Sequence, residues 1–292
     1  MESYLKFFFR EFQYPEEAAF ALLNAYRRIE KSSEAAEIFG NQILLYNENN
    51  LNDYNAALDL MDKVAELSGA HRYEVHLLLF IFLSQHTRQL YAEKRISYDI
   101  FYDSMSDLKW KLFECHNIYG IWGSFVAWWF NRFFNLTRFA LGRLQFETAE
   151  FNGTYSKNGF TLNPKDTVIN IHIPSSGPLK REDCHASYQK AAEFYKDIFV
   201  DKPVAFMCSS WLLYPKHKEF LPQGSNILTF MEDFDIIESS VDEKGSCLWR
   251  IFGTTETSDI EKLPQRTSLQ RAYIDWLRKG NVCGGGLGVF FI

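Results

Sequence analysis

Apolar residues recur three and four positions apart through most of the first 140 residues, whereas the remainder shows short runs in which apolar and polar residues alternate. From Pro15 to about Ala140 this spacing predicts helices almost throughout. "PEEAAFALLNAYRRIEKS" opens with a proline at a first-turn position and two glutamates at the positive end of the helix dipole. "SEAAEIFGNQILLYNENN", "DYNAALDLMDKVAELSG", "HRYEVHLLLFIFLSQHTRQLYAEK" and "SYDIFYDSMSDLKWKLFECHNIYG" follow, with Ser33, Asp53 and Ser97 as candidate N-caps and Gly69 and Gly120 as stop signals. Leu77 to Leu83 is apolar all round, so its helix belongs in the middle of a bundle.

After Leu141 the period changes. "RLQFETAEF" and "TVINIHI" alternate, "PVAFMCSSWLL" is bounded by Pro203 and Tyr214-Pro215, "SCLWRIFGT" alternates again, and "GLGVFFI" closes the chain. "CGGGLG" (Cys283 to Gly288) reads as a tight turn into that last strand. Helical stretches lie between, at Arg181 to Phe199, Lys216 to Glu232 and Thr267 to Lys279. The expected class is α+β: a helical domain over residues 1–139, then a mixed α/β domain over 140–292, with no Gly/Ser- or Pro-rich linker between them.

Composition narrows the possible roles. The 292 residues are 47% hydrophobic, enough for a sizeable core without staples. Five widely spaced cysteines without a C-x-x-C pair argue for free thiols, against a disulfide framework and against a metal site. "MESYLKFFFREFQ" lacks the apolar stretch of a secretory signal, so a cytoplasmic protein is expected. The apolar-leaning run Ile118 to Phe130 is too short to span a bilayer and predicts a buried or interfacial helix. A net charge of -6 and the absence of any dense Lys/Arg cluster oppose nucleic-acid binding.

Candidate chemistry gathers on three stretches. In "TVINIHIPSSGPLKREDCH" the pleat sends Ile169, Ile171 and Ile173 to one face, so Asn170 and His172 share the other. The loop Pro174 to Pro178 then leads to a helix start. Free N–H groups there, with Ser175, Ser176 and the Gly177 backbone, can hold a phosphate or carboxylate; ordinary turn and capping chemistry uses the same residues, and Glu182 and Asp183 in the first turn repel anions. On "RLQFETAEF" the polar face carries Arg143, Gln145 and Glu147, making Glu147 a second candidate base or an anchor for an amine. In "CSSWLLYPKHKEFLPQGSNI", Ser209 and Ser210 stand near a strand end, and Asn226 follows. A serine nucleophile would need a base in hydrogen-bond reach and an oxyanion hole, and no G-x-S-x-G elbow surrounds either serine.

The second half resembles a two-domain group of acyltransferases with a helical N-terminal domain and a C-terminal domain like the GCN5-related N-acetyltransferases (GNAT-like). The resemblance rests on "LGRLQFE", "INIHIPSSGPL", "CSSWLLYP", "LPQGSNI" and "LPQRTSLQRA", in that order over about the last 150 residues. It implies a splayed strand, Val168 to Ile173, offering backbone groups to pantetheine, and a loop, Pro174 to Leu179, for the pyrophosphate of coenzyme A. That loop has Ser-Ser-Gly-Pro where the superfamily carries a glutamine or arginine followed by x-x-glycine-x-glycine or alanine. The next strand, Val204 to Leu212, would diverge and place Ser209 and Ser210 along a V-shaped slot.

The implied cofactor is acetyl-CoA or another acyl-CoA, held by Ile173, Ser175, Ser176, Gly177, Ser209 and Ser210. The implied acceptor is a small-molecule amine or a peptide, met by Arg143, Asn170 and Asn226, with His172 as the base and Glu147 as its alternative. Two other readings stand beside this one: an inactive ligand-binding or scaffold protein of the same fold, and a hydrolase or acyltransferase working through Ser209 or Ser210 with His172.

Overall fold

Seven consecutive residues, Leu77 to Leu83, are buried on every side of one helix, and the first part of the chain is built around them. The computed structural model describes residues 1–292, which divide into two units, residues 1–140 and 141–292. The first unit holds α1 (Glu2–Glu11), α2 (Glu16–Lys31), α3 (Ser33–Asn47), α4 (Tyr54–Ser68), α5 (Arg72–Glu93) and α6 (Tyr98–Tyr119). Helix α5 is the central one and packs on all five others.

The helix ends follow local chemistry. Asp53 caps α4 by accepting the N–H groups of Asn55 and Ala56 at 2.9 and 3.0 Å. Gly69 and Gly120 end α4 and α6 in the left-handed region, at φ 67° and 70°. Helix α3 is capped by Ser32 and not by Ser33, which is its first helical residue, and Ser97 stands at the cap of α6 without a side-chain cap bond. The run Ile118 to Phe130 is not one helix. Gly120 reverses the chain, and Gly123 lies so close to α5 that a Cβ would sit 2.4 Å from the Tyr73 carbonyl carbon. A short 3-10 turn, Ala127–Phe130, then leads to α7 (Asn131–Phe134). No helix is long and apolar enough to cross a membrane.

The sheet runs β1-β2-β5-β6-β8-β7, with β1 (Arg138–Leu141), β2 (Leu144–Glu150), β5 (Thr167–His172), β6 (Ala205–Ser210), β7 (Asp235–Asp242) and β8 (Cys283–Phe291). Strands β5 and β6 pair in parallel, whereas β2–β5, β6–β8 and β7–β8 are antiparallel. Between β2 and β5 a small hairpin, β3 (Tyr155–Lys157) and β4 (Phe160–Leu162), turns on Asn158-Gly159 at φ 52° and 84°. It packs on the sheet through Tyr155 and Phe160 against Phe291, and Lys157 reaches Asp235 at 2.6 Å.

Helix α8 (Arg181–Phe194) covers the apolar face. Tyr188 packs on Phe206 and Phe290, and just past the helix the Tyr195 hydroxyl donates to the Phe146 carbonyl. The remaining helices are α9 (His217–Phe220), α10 (Asn226–Met231), α11 (Leu248–Phe252) and α12 (Ser268–Arg278), the last closed by a capping box between Thr267 and Gln270.

Three elements differ from expectation. Lys216 to Glu232 is two short helices, because Leu221 before Pro222 is extended (ψ 145°) and breaks the ladder. "SCLWRIFGT" is α11 and no strand: five residues fit either period, and the left-handed Gly253 (φ 66°) closes the helix. "CGGGLG" lies inside β8. Its glycines admit the chain that follows β6: a Cβ on Gly284 would sit 2.2 Å from the Tyr214 ring, and one on Gly286 2.3 Å from the Leu213 carbonyl oxygen.

His217 is fully buried and hydrogen-bonded to the Tyr273 hydroxyl. Burial disfavours its charged form and holds its pKa down at about 4, against 6.5 for a free imidazole. Protons therefore bind the unfolded chain first as pH falls. The stabilisation from a neutral His217 is whole above the unfolded value and is lost between it and the folded value, about 3 kcal/mol in all. Urea titrations across that window should show the loss, and His217→Gln should be less stable at neutral pH but less sensitive to acid. An equally steep acid limb in the variant would exclude His217 as the cause.

Candidate functional site

The antiparallel register of β2 and β5 sets Glu147 opposite Asn170 and Gln145 opposite His172, so all four side chains leave the sheet on one face. On that face Glu147 Oε1 lies 2.7 Å from His172 Nε2, and the Asn170 amide nitrogen lies 3.3 Å from the same ring atom. Glu147 and Gln145 are buried, and His172 is half-buried, with 20% of its side chain exposed. Two residues read separately as alternative bases thus form one hydrogen-bonded pair. A buried carboxylate hydrogen-bonded to an imidazole fixes the ring's orientation and joins the two groups into one site for a proton.

Beside this pair the sheet comes apart. β5 and β6 are in register only at Ile169–Phe206 and Asn170–Met207, although β5 continues to His172 and β6 to Ser210. β6 stays paired with β8 throughout, from Ala205–Phe291 to Ser210–Gly286. The gap therefore opens on the β5 side alone, and backbone groups of the two strands beyond Asn170 and Met207 face a slot.

Past His172 the chain forms the loop Pro174 to Pro178. Arg143 holds it from below: Nη1 donates to the Pro174 carbonyl at 3.0 Å, Nη2 to Gly177 at 2.6 Å, and Nε to Pro178 at 3.0 Å. The turn before β2 is fixed in its turn by Ser187 of α8, whose hydroxyl accepts the Arg143 N–H at 2.8 Å and donates to the Asp183 carbonyl at 2.9 Å. With all peptides trans, carbonyls aimed at the guanidinium send the N–H groups of Ser175 and Leu179 away from it. Arg143 remains a cation despite the burial that lowers its pKa. The start of α8 has no side-chain cap, and it is tied to the segment after α10 by Arg181–Glu232 at 3.1 Å and His185–Asp233 at 3.0 Å. A cavity of 360 Å³ beside the loop is lined by Gly142, Arg143, Ser176, Asp183, Ser187 and Lys190, among others.

The other candidates are distributed as follows. Ser209 and Ser210 border a second cavity over β6, β8 and β7, and the Ser210 hydroxyl accepts the Leu212 N–H at 3.2 Å, which closes the turn after the strand. Asn226 is exposed at the first position of α10, a helix that packs on α8 and on the turn after β6. The Arg143 guanidinium, read as substrate-binding, donates to three backbone carbonyls of the loop. Lys190 was missed; it lies one turn beyond Ala186 on the face of α8 toward Gly142, a spacing that gave no signal before the turn at Gly142 was located.

A family model for the GNAT-like C-terminal domain matches residues 138–290, and one for the N-acyltransferase N-terminal domain matches residues 4–136. The chain belongs to the GNAT-like C-terminal domain family. Its order, a helical N-terminal region followed by a GNAT-like domain, is the two-domain acyltransferase architecture. Among solved structures it is similar to an acyltransferase in complex with decanoyl-CoA and teicoplanin, at 22% identity and a TM-score of 0.76, covering 97% of this chain and 86% of that one. An acyltransferase in complex with CoA and 10C-teicoplanin is similar at 21% identity with the same coverage and score. A third, in complex with decanoyl-CoA, covers 98% of both chains at 18% identity and a TM-score of 0.65. No curated protein sequence matches the chain. In the GNAT-like domain the slot between β5 and β6 and the loop before α8 are the features that the resemblance led one to expect at Val168–Ile173 and Pro174–Leu179.

Proposed function

We propose that the protein transfers an acyl group from a coenzyme A thioester to an amine. The observation that carries this reading is the release of β5 from β6 just beyond Asn170 and Met207, directly beside the hydrogen-bonded Glu147–His172 pair. A slot bordered by unpaired backbone groups suits an amide-containing arm such as pantetheine. The outward N–H groups of Ser175 and Leu179, the cation of Arg143 beneath them and Lys190 at the rim suit phosphates. The coenzyme A and acyl-CoA ligands of the similar structures agree with this assignment.

The chain's own part in the reaction is proton handling. An acceptor arriving as an ammonium ion must lose a proton before its nitrogen can attack the thioester carbonyl. The Glu147–His172 pair takes that proton; as the C–N bond forms and the C–S bond breaks, a second N–H proton and the departing sulfur are balanced through the pair or solvent.

Calorimetric titration with acetyl-, octanoyl- and decanoyl-CoA tests the reading. Saturable binding of at least one of them is expected, and the preferred chain length would identify the acyl group. Absence of binding at millimolar ligand would overturn the proposal in favour of a scaffold that keeps the fold.

A further inference from the structure

The polar face that carries Glu147 and His172 does not stop at the slot. Residues opposite one another on neighbouring strands share a face, and the register carries this one from Asn170 to Met207 and Val289, and two residues further on from Ser209 to Leu287 and Glu238. Counting on from Asn170–Met207, Ser209 is the residue that stands across the gap from His172. A cavity of 410 Å³ begins at Ser209 and extends over β8 and β7, within the roughly 300–1,000 Å³ range of small-molecule sites.

Its lining is largely polar. The floor is Gly284 to Gly286, and the walls present Ser209, Ser240, Glu238, Asp242 and Ser246, with Arg250 as the cation among them. Asp242 is occupied, accepting the Ser246 N–H and hydroxyl at 2.6 Å each. Glu238 is exposed and makes neither an ion pair nor a side-chain hydrogen bond, and the hydroxyls of Ser209 and Ser240 are likewise uncommitted. A cavity next to the proton-accepting pair, rich in open hydroxyls and ending on an unused carboxylate, is built for a polar guest. Trp211 and Leu287 are its apolar walls.

We propose that this cavity seats the acyl acceptor, and that the acceptor is a polyhydroxylated amine carrying a second hydroxyl or ammonium group for Glu238. The inference rests on the acyl-transfer reading above and adds the acceptor's class to it. The spacing follows from the sheet: Ser209 stands across the open gap from His172, and Glu238 is two paired strands beyond Ser209, about 10 Å. The reacting nitrogen lies at the Ser209 end and the second polar group about 10 Å from it, a length that a disaccharide-sized molecule spans and a single small amine does not.

The test uses the full chain with whichever acyl-CoA binds in calorimetry, and compares the disaccharide of glucosamine, glucosamine itself and hexylamine as acceptors by release of free thiol. The disaccharide should have the lowest KM and hexylamine the highest. Glu238→Gln should raise the KM for the disaccharide about tenfold, the loss of one charge-assisted hydrogen bond, leave hexylamine unchanged, and leave acyl-CoA affinity unchanged. Saturation-transfer NMR measures disaccharide binding independently of turnover. Acyl-CoA binding together with equal use of hexylamine, an unaltered KM in Glu238→Gln, or no NMR-detected disaccharide binding would overturn the cavity assignment while sparing the acyl-transfer reading. Loss of acyl-CoA binding itself would instead remove the latter.

Discussion

Replacing His172 by alanine should lower acyl transfer by about a hundredfold or more, the usual contribution of a positioned acid–base group, with acyl-CoA affinity unchanged. The expectation rests on the bond between His172 Nε2 and Glu147 Oε1. Without the ring, a buried carboxylate loses a hydrogen bond, so His172→Ala also carries a stability cost, and melting temperature must be followed alongside rate. Glu147→Gln separates the two effects, because the amide keeps the shape and can still hydrogen-bond but no longer shares a proton. It should reduce turnover by about tenfold or more at nearly native stability. Turnover equal to the unmodified protein in both variants would remove the pair from the reaction.

The second large effect is expected at Arg143. Three carbonyls of the Pro174–Pro178 loop depend on one guanidinium, so Arg143→Ala should cost about 2–4 kcal/mol of stability and weaken acyl-CoA binding at least tenfold through a loosened loop. Arg143→Lys should not rescue either, since a single ammonium cannot span three acceptors held in a fork. Denaturant unfolding and calorimetry on both variants decide it. A lysine variant that binds acyl-CoA with native affinity would show that the charge alone matters and the brace does not.

Strands β2 and β5 were readable from alternation, β6 from a short run bounded by Pro203 and Tyr214-Pro215, and the helix stops at Gly69 and Gly120 from residue type alone, because all these signals are local. Strand β7 was not. "DIIESSVD" is broken by an irregularity between Ile236 and Glu238, and none of its residues is buried, so no buried stripe marks it. The β3–β4 hairpin carried a usable signal, Asn158-Gly159 between alternating residues, that went unread.

At the site, strand parity put Glu147 and His172 each on a polar face. That the two faces are one, and that the side chains meet, depends on a register between strands some 25 residues apart in sequence, which no local pattern encodes. The bonds from Arg143 to the loop escape local pattern for a related reason. The residue sits at the turn before β2, where the pleat no longer dictates direction, and its partners lie more than 30 residues downstream.

The glycines of β8 bear on how this fold tolerates change. A sheet ordinarily keeps the next layer about 10 Å away by means of side chains, but at Gly284, Gly286 and Gly288 a ring, a carbonyl oxygen and a Cβ occupy the space where side chains would stand. At Gly286 the neighbour is main chain. Repacking nearby cannot make room there, because a carbonyl has no alternative rotamer and no smaller homologue. The spacing of that layer is thus set by excluded volume alone, and the turn after Ser210, which shapes one wall of the cavity beside the slot, inherits its position from atoms that are not there.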